Sequence, residues 1–585
     1  MKYKVAIFLI IFSLSAGCVK TTPALELTYL DQGWNKENNF RELSYYTTQG
    51  SRLIPYTWFL ALEQHDNKKL FKDPGHIESL GFLTPSIEEL KTYKNLNQDG
   101  LPIGFVKDKP AFVPGERDKF DEMEFMGFNC STCHTGQINY KDKAIRIDGG
   151  PTMADLQTFL ERMKSSLDKT LSNESKFDRF AEKVIRQSKQ SKGALRNDLK
   201  EFTEDFSKMV HRSVTPGRDG EGIRYGYARL DAFGGILNEV VHNLNKTTAR
   251  IPPDAPVSYP FIWDAPQLEW VQWNGAVNNP IARNAGEVVG VFGKIVGSKS
   301  IPFFKSSARL KKLFELEEWL KDLSSPSWPQ DIFPKFDVGK VHRGKTIYQT
   351  GGKNDPRRKD NRCIRCHSIP SPEPDPQKGW TQKGKYPADA KKQFIKIKMV
   401  DVDKVGTDPL MATNFATRII ETGQLSEVFE NKKSALAVLS RFVTLTIKNH
   451  LEKLKKEKPE EFLKYNGYRL PPTKSPSEKL YELKAYKARP LNGIWATAPY
   501  LHNGSVPNLK QLLSPSKRDS KFCVGSHEFD PVNVGFAFKL KNGKCEDNST
   551  LFDTTLTGNW NTGHNYAKDL DEDERRDLLE YLKTL

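Results

Sequence analysis

Two short runs in this sequence place reactive side chains at a fixed spacing: Cys130-Ser131-Thr132-Cys133-His134 and Cys363-Ile364-Arg365-Cys366-His367. Two thiols so spaced can add to the two vinyl groups on one edge of a haem, and the next histidine is then carried under the iron as its proximal ligand. Each run predicts one covalently bound haem c, the first held by Cys130, Cys133 and His134, the second by Cys363, Cys366 and His367. A redox dithiol and half of a zinc site are the competing readings. A redox pair rarely carries the following histidine twice, and no further Cys-x-x-Cys lies at zinc-ribbon spacing. The opposite face of each iron decides between electron transfer and chemistry. Of the eleven histidines, His502, His527 and His564 fall in the C-terminal region, and Met399 and Met411 are the late methionines, Met411 the better placed. No His or Met stands out as a distal ligand for the first haem.

The elements that must position these groups read as mainly α: two cytochrome c-like haem domains with long loops, few strands and an N-terminal cap. The 585 residues exceed one compact core. Residues 18–117 are rich in Pro, Gly and aromatics and read as the cap, with 118–330 a first haem domain carrying a helical and aromatic insert and 331–585 a C-terminal cytochrome c domain. Around the first motif, Pro114 to Met153 reads as irregular. Amphipathic spacing predicts helices from Ala154 through Leu167 and from Phe177 to Val210, with a break near Gln187 to Gly193. A Pro-rich crossing at 251–260 leads to an aromatic segment, Trp263 to Trp273, and then to Ala282-Arg283-Asn284-Ala285-Gly286-Glu287. Ser324 to Pro329 breaks the chain again, and Val338 opens a helix running into Ile347-Tyr348.

The compartment is read from the first residues. Met1 to Lys4 is a positive n-region, Val5 to Leu14 an apolar stretch too short to span a bilayer, and Ser15-Ala16-Gly17 the small residues before a cut, so 1–17 reads as a signal peptide. Cys18 follows directly and resembles a lipobox cysteine, with Ser15 where Leu is commoner; a simple secreted form is the other reading. The mature chain is then expected in the periplasm or cell envelope, as an outer-membrane lipoprotein touching the membrane through the lipid on Cys18. Cys523 and Cys545 remain, either as free thiols or as a disulfide contributing about 3 kcal/mol in an oxidising compartment. The net charge of +16 is spread along the chain without a nucleic-acid module, and reads as a solvated face or a docking surface for an acidic redox partner.

The run Tyr486-Lys-Ala-Arg-Pro-Leu-Asn-Gly-Ile-Trp-Ala-Thr-Ala-Pro-Tyr-Leu-His502-Asn-Gly-Ser-Val-Pro-Asn-Leu509 resembles the signature of the di-haem cytochrome c peroxidase superfamily. The likeness is greatest to the branch of bacterial rubber oxygenases and di-haem fatty-acid dioxygenases. Gly50 to Tyr56, Asp148-Gly149-Gly150, Arg229 to Ala232, Trp270 to Gly275, Val405 to Pro409 and Gly563 to Tyr566 support it, so the resemblance spans nearly the whole mature chain. It implies an N-terminal haem open to oxygen or peroxide and a C-terminal haem with two axial histidines. On this sequence His134 and His367 are then proximal ligands, and His564 is the distal ligand of the second haem, with His502 and Met411 as alternatives. Trp273 resembles the aromatic placed between the haems, or is a core aromatic.

The function these readings imply is an oxidoreductase activating dioxygen or peroxide at the haem of His134, while the haem of His367 stores or relays an electron. The resemblance implies an apolar unsaturated substrate, fatty acid or polyisoprene. A peroxidase fed by a small redox partner protein is one alternative; a di-haem electron carrier without a catalytic site is another.

Overall fold

A computed structural model describes residues 25–34, 37–110, 119–188, 190–217, 222–244, 250–298, 301–368, 395–421, 432–466, 484–546 and 549–585. The leader and Cys18 lie outside the described residues. Helix accounts for 43% of the described residues and strand for 15%, so the fold is mainly α. Strand is nonetheless more widespread than foreseen, in two- and three-stranded sheets.

The largest departure falls within 114–153, expected to be irregular, of which residues 119–153 are described. A strand, Phe125–Phe128, feeds a helical turn over Cys130–Cys133, and a hairpin follows, Thr135–Tyr140 paired antiparallel with Lys143–Asp148. The two-residue loop holds Lys141 at φ 55, the left-handed conformation such tight hairpins require. Alternation could not reveal the second strand, because every residue after Lys143 is buried. The parallel partner of that strand is Glu26–Tyr29. Strands Ile54–Pro55 and Phe105–Asp108 flank Phe125–Phe128. Pairing therefore crosses the position 117 at which cap and first domain were divided.

The helical region forms three helices, Leu156–Ser172, Glu174–Ser188 and Lys192–Val214. Asp155 accepts a hydrogen bond from Thr158 N–H and Ser191 one from Ala194 N–H, satisfying donors that a helix start leaves unpaired. Their apolar stripes, among them Phe159, Met163, Phe180 and Leu199, close over Trp58 and Phe59 in one core.

In the C-terminal part the helices Val338–Thr350 and Glu572–Lys583 cross at Gly344. A Cβ there would lie 2.0 Å from the Asp577 carbonyl oxygen, so only glycine permits the approach. Arg343 forks onto Asp577 at 2.7 and 2.8 Å, and the Tyr348 and Tyr581 rings meet at 5.3 Å. Tyr348 O–H donates to the His367 carbonyl at 2.8 Å, which ties the second motif to this helix pair. Cys523 and Cys545 form a disulfide, with Cα atoms 5.7 Å apart. No helix among the described residues is long and apolar enough to cross a membrane.

Candidate functional site

The first motif is held as a turn by its neighbours. Asn129 caps it by accepting from Ser131 N–H at 2.9 Å, while its amide donates to the carbonyls of Ser44, Tyr45 and Thr47. Gly104 comes so close that a Cβ would lie 2.1 Å from Thr132 N, and its carbonyl accepts from the Thr132 hydroxyl at 2.8 Å. His134 is fixed by its Nδ1, 2.7 Å from the Pro260 carbonyl oxygen. A carbonyl only accepts, so Nδ1 carries the proton and Nε2 keeps a free lone pair. Burial lowers the His134 pKa to about 4, which keeps the ring in the neutral form that binds metal. Cys130 and Cys133 are unpaired thiols whose pKa values burial pushes up to about 12.

The second motif repeats this geometry. His367 Nδ1 lies 2.8 Å from the Arg489 carbonyl oxygen, and burial lowers the pKa of this histidine as well. Cys363 and Cys366 are again unpaired. His564 faces His367, with ring centroids 6.2 Å apart and planes inclined by 52°. Metal–imidazole bonds of about 2.0 Å, with each nitrogen about 1.1 Å from its ring centroid, would set two rings bridged by one metal ion roughly 6.2 Å apart. His564 adopts φ 48 and its N–H donates to Val405 O at 2.7 Å; burial takes its pKa down to about 3. His502 lies elsewhere, stacked on Tyr486 at 3.9 Å, and Met411 belongs to the apolar cluster around Tyr486.

A cavity of about 160 Å³, partly open to solvent, adjoins Cys130, Cys133 and His134. Among the described residues its lining contains no second histidine and no methionine. Trp273 is in the wall, its indole N–H donating to the Ser258 carbonyl at 2.9 Å. Three cations share this lining: Arg283, Lys487 and Arg489. Burial, then the charges of Arg489 and Arg283, push the Lys487 pKa far below its ordinary value. Arg283 is already paired with Glu317, and the two propionate carboxylates of a c-type haem would add partners for the remaining basic groups. Both centres thus fit the group their motifs imply, the first by its thiols, histidine and cations, the second by its thiols and facing imidazoles.

A second cavity of about 600 Å³ lies between the helices Pro280–Gly290 and Ala435–Glu457. Leu439, Val443, Ile447 and Leu451 form its apolar wall, with Lys448 and Lys455 among its exposed lining residues. Phe233, Ile236, Gln272, Arg283 and Glu287 line both cavities. At this junction Gln272 donates to Glu287 at 2.8 Å, and burial raises the Glu287 pKa. Arg283 is held by the fully buried Glu317, which also accepts from Asn284 at 2.9 Å.

Sequence reasoning did not single out Glu287, Gln272, Lys487 or Arg489 as site residues. Each lay inside a quoted run. Their separate importance comes from convergence in space, although Asn279 followed by Pro280 is a legible helix start that would have set Arg283 and Glu287 one turn apart on the same face.

Residues 485–523, which include Lys487, Arg489 and His502, match a family described as RoxA-like, cytochrome c-like. Such a domain implies haem c. The chain is similar to the uncharacterized protein y4iJ of Sinorhizobium fredii (strain NBRC 101917 / NGR234), 30% identical over 607 residues that cover 96% of this chain and 93% of the relative. It is also similar to the uncharacterized protein y4iM of the same strain, 37% identical over 119 residues, 17% of this chain and 28% of that protein.

Proposed function

Because the chain belongs to the family of y4iJ and carries a RoxA-like cytochrome c domain, we propose that it is an exported di-haem c-type oxidoreductase that activates dioxygen or peroxide at its first centre. The observation that carries the reading is the asymmetry between the centres: His367 has His564 opposite, whereas among the described residues the cavity at His134 is lined by no second histidine and no methionine. A bound haem iron supplies one-electron and oxygen chemistry that side chains lack. The chain contributes the rest. His134 presents Nε2 from a ring locked by Pro260. Glu287, its pKa raised, can hold a proton where both cavities meet and hand it to a reacting oxygen. Trp273 offers a polarizable ring in the cavity wall for electron passage between the centres. His564 closes the second centre, which suits it to storing or relaying an electron.

The apolar cavity beside the first centre supports an unsaturated hydrocarbon chain, fatty acid or polyisoprene, as substrate. An acyl group on Cys18 would keep the protein at the envelope where such molecules collect. The deciding experiment is an absorption spectrum of the purified protein with haem quantitation and cyanide and oxygen titrations: two haems per chain, one of which binds ligand, are expected.

A second reading, a non-catalytic electron carrier, draws on Lys487. Burial favours its neutral amine, and as a nitrogen donor lining the same cavity as His134 it would be a further protein ligand for a bound iron. Failure of cyanide to bind either haem in any redox state would favour that reading, and a peroxidase is separated from a dioxygenase by which oxidant is consumed.

A further inference from the structure

The two motif histidines are not fixed independently. His134 Nδ1–H donates to Pro260 O at 2.7 Å. The next carbonyl along the chain, that of Phe261, accepts from Arg489 Nη1 at 2.7 Å, and Trp263 O accepts from Arg489 Nη2 at 2.9 Å. The backbone oxygen of the same Arg489 accepts from His367 Nδ1–H at 2.8 Å. One residue therefore clamps, through its side chain, the segment that orients His134, and orients His367 through its main chain. The guanidinium lies over the Phe261 ring with Cζ 3.4 Å from the centroid, and Arg489 is only 7% exposed. Strand Lys398–Asp401, paired with Ala485–Ala488, and the Lys487 N–H donating to Trp273 O at 2.8 Å hold the backbone just before it.

We propose that Arg489 is the positioning residue that couples the two histidine centres, so that a displacement of either imidazole on a change of iron charge is transmitted to the other. The geometry supports this in both directions. An imidazole whose Nδ1–H bond shortens becomes more electron-donating toward its metal, and such partners tune redox potential. A shift of Pro260 carries with it the segment 261–263, whose Phe261 and Trp263 carbonyls the guanidinium fork binds, and the fork is continuous with the oxygen that holds His367. The planar two-armed donor is needed because both carbonyls must be bound at once; a lysine carries equal charge on a single ammonium. Neither Nδ1 proton leaves its ring, so the coupling requires no proton transfer. This inference rests on the di-haem reading proposed above.

The test is a spectroelectrochemical titration, with low-spin electron paramagnetic resonance of the oxidised form, on the full haem-loaded protein and its Arg489→Lys variant. Charge is conserved and the fork is lost. Both midpoint potentials are expected to move by about 60 mV, a tenfold change in each one-electron equilibrium, and the signal from the His367 centre should shift although the substituted side chain faces the other cavity. Lys487→Met, which alters the same cavity without touching 260–263, should move the first potential alone. Should Arg489→Lys fail to retain haem, Phe261→Leu removes the ring beneath the guanidinium but leaves the carbonyl, and should move both potentials by a smaller amount. Movement of only the first potential in Arg489→Lys or Phe261→Leu, with an unchanged second signal, would overturn the coupling. Haem quantitation on the same samples reads the di-haem proposal separately, since fewer than two haems in the wild type defeats that reading, whereas two haems with independent potentials defeats only the coupling.

Discussion

Replacing His564 with alanine should convert the second centre from a closed site to one that binds an added ligand, with a pH dependence fixed by burial. Only a neutral imidazole ligates. Burial takes the pKa of the His564 ring down to about 3, so it stays predominantly neutral at pH 5, and the wild-type spectrum of this centre should be flat between pH 7 and pH 5. Free imidazole added to His564→Ala has no such protection. It titrates slightly above the histidine side chain, at about 7, so it is about half neutral at pH 7 and about 1% neutral at pH 5, and its apparent dissociation constant should rise roughly 50-fold over that interval. The 6.2 Å between the rings leaves room for one imidazole-sized ligand once the side chain is gone. The assay is a visible absorption titration of both proteins at several pH values. A variant whose spectrum matches the wild type without added imidazole would refute the assignment and return it to His502 or Met411. A wild-type spectrum titrating near pH 6.5 would refute the role given to burial.

Four further outcomes are expected. Replacing Cys130 and Cys133 with alanine should leave one covalent haem per chain by mass and haem stain, as should replacing Cys363 and Cys366; two haems in either variant would contradict the attachment sites. Cys18→Ser should shift the protein from the membrane fraction to the soluble envelope fraction, and unchanged partitioning would count against lipidation. Burial raises the pKa of Glu287, so turnover that uses its proton should decline as pH rises through that raised value; Glu287→Gln should lower turnover about 10²–10⁴-fold and flatten that limb of the profile, and a variant with wild-type rates would exclude the proton role. Cys523→Ala opens a loop of 22 residues and should lower stability by about 3 kcal/mol in urea unfolding, a loss under 1 kcal/mol pointing to a loop that stays ordered unaided.

The parts of this protein visible in the sequence are those whose cause is local. Cys-x-x-Cys-His is a covalent constraint within five residues, and the helices at 156–214 announce themselves by apolar spacing and by Asp155 and Ser191 as caps. The strand Lys143–Asp148 was missed because it is buried on both faces and therefore shows no alternation. The pairing of Glu26–Tyr29 with it depends on residues 117 positions apart, as in Glu26 with Lys143. The first cavity was hidden for the same reason, since Glu287 on one helix, Lys487 on a distant strand and His134 on a turn meet only in three dimensions. His564 was reached through family resemblance alone; nothing within its own neighbourhood distinguishes it from a surface histidine until His367 is set against it.

The parallel pairing of Glu26–Tyr29 with Lys143–Asp148 also imposes an order on biogenesis. A chain that emerges from its N-terminus must wait for residue 148 before its first strand finds a partner, and by then the thiols of Cys130 and Cys133 have already emerged. Until that sheet closes, the carbonyls of Ser44, Tyr45 and Thr47 have no fixed Asn129 to receive. If haem is attached at this motif, both thiols are already available when the sheet closes, and in the folded chain they remain half-buried beside the open cavity.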